Sequence, residues 1–109
     1  MTTAMESMFG AVLKAQQARV DRGLLKPLVR DWSACLSFAR HTEEEVFEVI
    51  RELPRREWKD QTVIPENVLA ELADTQIQLL TTLAYAGFSY EDLESAVLNK
   101  LGTKRSDWK

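Results

Sequence analysis

The stretch PENVLAELADTQIQLLTTLAYAG, residues 65–87, decides the fold. Leu69, Ala73, Ile77, Leu80 and Ala84 recur along it at three- and four-residue steps, the period of one face of an α-helix. Pro65 suits the first helical turn, where a missing N–H leaves nothing unpaired, and Gly87 suits the left-handed residue that closes a helix. The reading is one long helix ending at about Ala86. Downstream, Ser89-Tyr90-Glu91-Asp92 resembles a capping box that opens a further helix, with Leu93, Val97 and Leu101 facing inward. Upstream, residues 55–64 break the pattern and read as a connector. Before it, Val46, Val49, Ile50 and Leu53 form the apolar face of a helix that starts near Thr42 and stops at Pro54. Earlier still, Val29, Trp32, Leu36 and Ala39 make a helical seam behind Pro27, which suits a first turn. Met5, Met8, Phe9, Val12 and Ala15 make the first stripe, with Gly23 at its end. No segment alternates with a period of two. The expectation is a single all-α domain over residues 1–109, an antiparallel helical bundle of four to five helices.

Composition agrees. With 4 Gly and 3 Pro in 109 residues there are few breaks, and 45% hydrophobic against 28% charged residues is an ordinary globular balance. A net charge of −3 argues against a polymeric nucleic-acid partner, whose affinity rests on neutralised phosphates. Cys35 is the lone cysteine, so no internal disulfide forms, and a small buried apolar role suits it. The first ten residues lack a basic segment followed by an apolar one, and no run reaches the ~18 apolar residues of a membrane span. A cytoplasmic location without a membrane partner is expected.

The chemistry lies in the acids. Glu45 and Glu48 are three residues apart and Glu44 and Glu48 four apart, so each pair shares a helix face. Glu71 and Asp74 repeat the three-residue spacing on the long helix. Two such helices face to face would gather four carboxylates around one volume, where mutual repulsion calls for a cation. Oxygen donors without His or Cys companions select Mg²⁺, Mn²⁺ or Ca²⁺ over Zn²⁺, and His41 alone builds no zinc site. The same residues have ordinary readings. Thr42-Glu43-Glu44-Glu45 fits a capping box, and Glu71 and Asp74 fall with Gln78 and Thr82 opposite the Leu69/Leu80 stripe, as on a solvated face. At the C-terminal end, Lys100, Lys104, Arg105 and Lys109 form a basic segment, which suits either a helix end or the phosphates of an anionic substrate.

Taken in order, these motifs resemble one family. Glu44-Glu45-Val46-Phe47-Glu48 looks like the EExxE, and Glu71-Leu72-Ala73-Asp74 like the ExxD, of the MazG-like and all-α dUTPase-like pyrophosphatases. The Arg56-Glu57-Trp58-Lys59 connector, Gly87-Phe88 and a capped helix ending in Asn99-Lys100 continue the similarity, which covers roughly residues 40 to 108. One departure falls in the tail: Lys104 stands where such enzymes often carry Asn, and Asp107 where they carry Arg, with Arg105 displaced.

The resemblance implies Mg²⁺-dependent hydrolysis of an NTP or dNTP to the monophosphate and pyrophosphate, with Mn²⁺ as a substitute. It assigns Glu45, Glu48, Glu71 and Asp74 to the metal, and Glu44 or Glu45 to the attacking water. Lys100, Lys104 and Arg105 would hold the phosphates. Trp58, Lys14 and Gln17 are candidates for the base, although each tryptophan also suits a core or interface. It further implies a homodimer or homotetramer. A phosphoribosyl-ATP pyrophosphatase is the alternative within the class, and a non-catalytic helical interaction module the alternative outside it.

Overall fold

The computed structural model describes residues 4–54 and 62–104. Among these residues there are four helices and no strand: α1 (Ala4–Asp21), α2 (Trp32–Arg51), α3 (Pro65–Ala86) and α4 (Tyr90–Lys104). Pro65 opens α3 at its first turn, and Gly87 closes it at φ 84°. The Gly87 N–H bonds to Ala84 O and the Phe88 N–H to Leu83 O, the paired bonds of a Schellman stop. The end of α1 uses the same device, with Gly23 at φ 74° and Leu24 N–H on Arg19 O. The capping box expected at Ser89 is formed: Asp92 N–H donates to Ser89 Oγ at 3.1 Å, and Ser89 N–H to Asp92 Oδ2 at 2.9 Å.

One boundary is corrected. The two helices expected over Pro27–Ala39 and from Thr42 are a single helix, α2, which leaves four helices among the described residues. Pro27 precedes it in a loop, and the N-cap is Asp31, whose side chain accepts the Ala34 N–H at 3.0 Å. Thr42 lies inside the helix, where its hydroxyl donates to Phe38 O at 2.8 Å. A hydroxyl that bonds back to the preceding turn satisfies itself without breaking the helix, which is why Thr42 gives a false start signal.

Helices α2 and α3 form the main pair. Cys35 Sγ meets Thr82 O at 3.7 Å and the Phe38 ring stacks on Tyr85 at 5.4 Å, while Glu45 lies by Glu71 and Asp74. Rising along α2 therefore means descending along α3, so the pair is antiparallel. The shared core is confined to one end. Phe9 and Val12 of α1 pack on Leu80 and Ala84, while Ala34, Phe38 and Tyr85 make a neighbouring cluster. A buried polar bond, Gln16 Nε2 to Thr81 Oγ1 at 3.0 Å, ties α1 to α3. The loop before α2 is pinned to the same end, with Asp31 N–H on Tyr85 O and Tyr85 OH on Lys26 O. Burial raises the Tyr85 pKa above its ordinary value, and the Asp31 charge adds to the shift.

The expected inward faces are inverted over much of α2 and α3. Val29, Trp32 and Leu36 point outward, as do Leu69 and Ala73, and only the Leu80/Ala84 end of the α3 stripe is buried. Leu69 is 69% exposed, with little to cover it among the described residues. On α4, Leu93 is half-buried, whereas Val97 and Leu101 remain exposed. What α2 turns toward α3 is instead Ala34, Phe38, Thr42, Glu45 and Val49, with Glu71, Thr75, Gln78, Thr82 and Tyr85 opposite. The seam is apolar at the Tyr85 end and becomes polar at the other. No described helix is long and apolar enough to cross a membrane.

Candidate metal centre

The polar end of the α2–α3 seam collects the acids. One carboxylate oxygen from each of Glu45, Glu71 and Asp74 lies within 4.8 Å of the others. Each helix contributes through its own period: Glu45 follows Phe38 and Thr42 along the inner stripe of α2, and Glu71 lies on the inner stripe of α3 with Asp74 one turn on. The capping reading fails, because Thr42 caps no helix. Of the pair expected on a solvated face, Glu71 stands half-buried at the interface with α2, while Asp74 is exposed.

Glu48 stands beside this group with its Oε1 on Arg51 Nη1 at 3.2 Å. Arg51 offsets some of its charge, so Glu48 is less available than the other three in this arrangement. The Glu71 pKa is raised above its ordinary 4.5. Partial burial is the leading cause, followed by the negative charges of Asp74, Glu48, Glu45 and Glu52. Glu71 is therefore the point where the negative field of both helices is felt together. A cation placed there would relieve all five carboxylates at once.

Two residues of this region were missed by the motif reading. Glu52 caps the C-terminal end of α2 and extends the Glu45/Glu48 stripe by one more turn. The signal was present as a further four-residue step, but Glu52 lies outside the EExxE pattern. Gln78 lies one turn past Asp74, and its Oε1 is buried without a hydrogen-bond partner among the described residues. Nothing in a sequence separates such a glutamine from an exposed one.

The remaining candidates stand apart. Glu44 is exposed on the flank of α2 with Ser37, Arg40 and His41. Lys14 is exposed on α1, and Gln17 donates to Asp21 on the same helix at 2.9 Å. Helix α1 meets α3 at Thr81, ten residues or about 15 Å along the axis from Glu71. Lys100 is exposed on α4, whose main contacts are with α1, so the fold of one chain does not set it against the acids. Lys104 ends α4, while Trp58 and Arg105 lie outside the described residues.

The donor set is all oxygen and all anionic, a set for a hard divalent ion. Oxygens that share Mg²⁺ at about 2.1 Å sit at most about 4.2 Å apart, so small side-chain rotations close the group around the ion. No protein-family model, curated protein or solved structure gives a significant match to this chain.

Proposed function

We propose that this protein is a Mg²⁺-dependent nucleoside triphosphate pyrophosphohydrolase of the MazG-like kind. The observation that carries the reading is the convergence of Glu45, Glu71 and Asp74 on the inner seam of two antiparallel helices. Helix pairs ordinarily bury apolar residues there. A half-buried Glu71 that feels the negative charges of four neighbouring acids costs stability unless a ligand uses it.

The reaction is NTP plus water to NMP plus pyrophosphate. Water attacks the α-phosphorus, the bond to the bridging oxygen breaks, and pyrophosphate carries away the electron pair. Mg²⁺, when bound, neutralises phosphate charge and makes water a better nucleophile. Glu71 and Asp74 would hold the ion from α3 and Glu45 from α2, with Glu48 beside them. Glu45 is better placed than Glu44 to orient the water and take its proton, because Glu44 lies one helical step, about 100°, off the seam. The buried Gln78 amide oxygen, without a hydrogen-bond partner among the described residues, can accept from a water one turn along α3 from Asp74.

The active form is an assembly of copies. Phe47, Leu69 and Leu98 are each more than half exposed on three different helices, a pattern of apolar surface that a monomer rarely shows to water. A phosphate role for Lys100 also calls for a neighbouring copy, since α4 packs against α1 in its own chain; Lys104 and Arg105 are assigned to the phosphates by the family resemblance alone. The second reading, a helical interaction module without catalysis, is favoured by that same exposed surface. It leaves the acids unexplained.

The test is a panel of NTPs, dNTPs and phosphoribosyl-ATP, with and without Mg²⁺, followed by ³¹P NMR. The proposal expects pyrophosphate and a monophosphate only when Mg²⁺ is present. No turnover of any triphosphate, or turnover indifferent to Mg²⁺, contradicts it. Preference for phosphoribosyl-ATP moves the protein within the class.

A further inference from the structure

The opposite end of the fold carries a recess that the acids do not reach. It opens between α1, the segment before α2 and the α3–α4 turn, with a volume of about 620 Å³. Phe9, Leu13, Leu28 and Phe88 form its apolar wall, and Arg30 is the one cation among its described lining residues. Ala84, also on its wall, is ten residues or about 15 Å along α3 from Asp74.

Arg30 is exposed, and three contacts orient its side chain. Its Nε donates to Ala86 O at 2.8 Å. Its guanidinium carbon lies 5.4 Å from the Trp32 ring centre and 5.1 Å from that of Phe88. The turn is shaped to admit it: a Cβ on Gly87 would come 2.7 Å from Arg30 Nε, and the φ of 84° there already favours glycine. These contacts use Nε and the guanidinium faces, and both Nη groups have no partner among the described residues. A latch needs only Nε. An arginine that lines an apolar recess, with both Nη groups unpartnered among the described residues, loses little further freedom on pairing with a carboxylate.

The surroundings narrow the anion. Glu6 and Glu91 line an adjoining recess that shares Phe9 and Ser89. The Glu91 carboxylate disfavours multiply charged groups such as phosphate, and the apolar wall disfavours small hydrated anions. We propose that the recess binds a small monocarboxylic acid with an apolar body, its carboxylate on the Arg30 Nη groups and its body against Phe9 and Leu28. This inference is independent of the pyrophosphatase reading, because no residue is shared between the two sites.

The experiment is a ¹⁵N-HSQC titration of the full chain with 3-phenylpropionate, following the Gly87 and Ser89 amides and the Arg30 Nε–H. Matched titrations use 3-phenylpropanol and inorganic phosphate. Saturable shifts confined to these groups are expected, with the alcohol and phosphate each weaker by about tenfold or more. Arg30→Gln should abolish saturation. Because that change also removes the bond to Ala86 O, Val29→Glu serves as the second variant: Val29 is exposed on the rim, and a carboxylate there should weaken the acid and leave the alcohol unchanged. Equal affinity for acid and alcohol, or an acid affinity unmoved by both variants, overturns the proposal. Shifts of Gly87 and Ser89 that follow protein dilution and ignore the acid also overturn it, and assign the recess to a second copy.

Discussion

A carboxylate oxygen of Glu45 on α2 and one of Glu71 on α3 lie within 4.8 Å of each other, with Asp74 completing the group. Among the described residues no basic side chain pairs with these three acids. Arg51 pairs with Glu48, at the edge of the cluster. Acids gathered in this way make opposite demands on stability and on ligand binding.

Asp74→Asn should raise the thermal stability of the metal-free protein, because it removes one charge from a repelling set. The same change should lower Mg²⁺-dependent turnover by about 100-fold or more, the scale expected when charge stabilisation in a transition state is lost. Differential scanning fluorimetry without metal, and pyrophosphate release with it, read the two effects separately. A variant that is less stable and equally active would mean that Asp74 is an ordinary structural residue.

The raised pKa of Glu71 gives a pH dependence with a definite sign. The folded state holds the Glu71 proton more tightly than the unfolded chain does, so charged Glu71 destabilises the metal-free fold above its ordinary 4.5. Lowering the pH from neutrality toward about 5 should therefore raise the melting temperature of the metal-free protein. Asp31 does not oppose this in the same window. Its pKa is lowered, first by the Ala34 N–H, so its contribution is lost only on falling below 3.8. Glu71→Gln should flatten the rise, and Mg²⁺ at neutral pH should replace it. A melting temperature that falls steadily on acidification of the metal-free protein contradicts the argument.

The Gln16–Thr81 bond holds α1 on α3 in a buried setting. Arg19 Nη1 donates to Gln16 Oε1 at 3.3 Å, so the amide is used at both ends. Thr81→Val keeps the shape and strands the Gln16 amide, at a cost of about 1–3 kcal/mol. Adding Gln16→Leu should recover part of that loss, since both partners are then apolar. Urea unfolding of the two single variants and the double variant measures the coupling, and strict additivity would show that the bond carries no weight.

Leu69 and Leu98 are exposed on α3 and α4. Leu69→Glu and Leu98→Glu should each shift the protein toward monomer in sedimentation velocity, by breaking apolar contact between copies. In a chain that is monomeric from the outset, neither change should move stability by more than about 0.5 kcal/mol.

The sequence is most legible where local chemistry acts alone. Pro65, Gly87 and the Ser89/Asp92 box mark their boundaries because proline, left-handed glycine and a reciprocal cap act within a few residues. The break expected at Thr42 is absent because a hydroxyl bonded to Phe38 O and a capping hydroxyl are written with the same residue. The direction in which α2 and α3 face was hidden for a different reason. Periodicity shows that Leu69, Ala73, Ile77, Leu80 and Ala84 share a side of the helix, but not whether its own chain covers that side. Here α1 covers only the Leu80/Ala84 end, and the polar side turns to α2. The acid pairs themselves were visible as spacing, whereas Glu52 and Gln78 become apparent only with the two helices placed side by side.

The central claim is that α2 and α3 together form one hard-metal site, and isothermal titration of Mg²⁺ into the metal-free protein tests it most directly. The account predicts saturable binding that is lost both in Glu45→Gln on α2 and in Asp74→Asn on α3. Binding that survives either substitution, or no saturable binding by the unaltered protein, would contradict it.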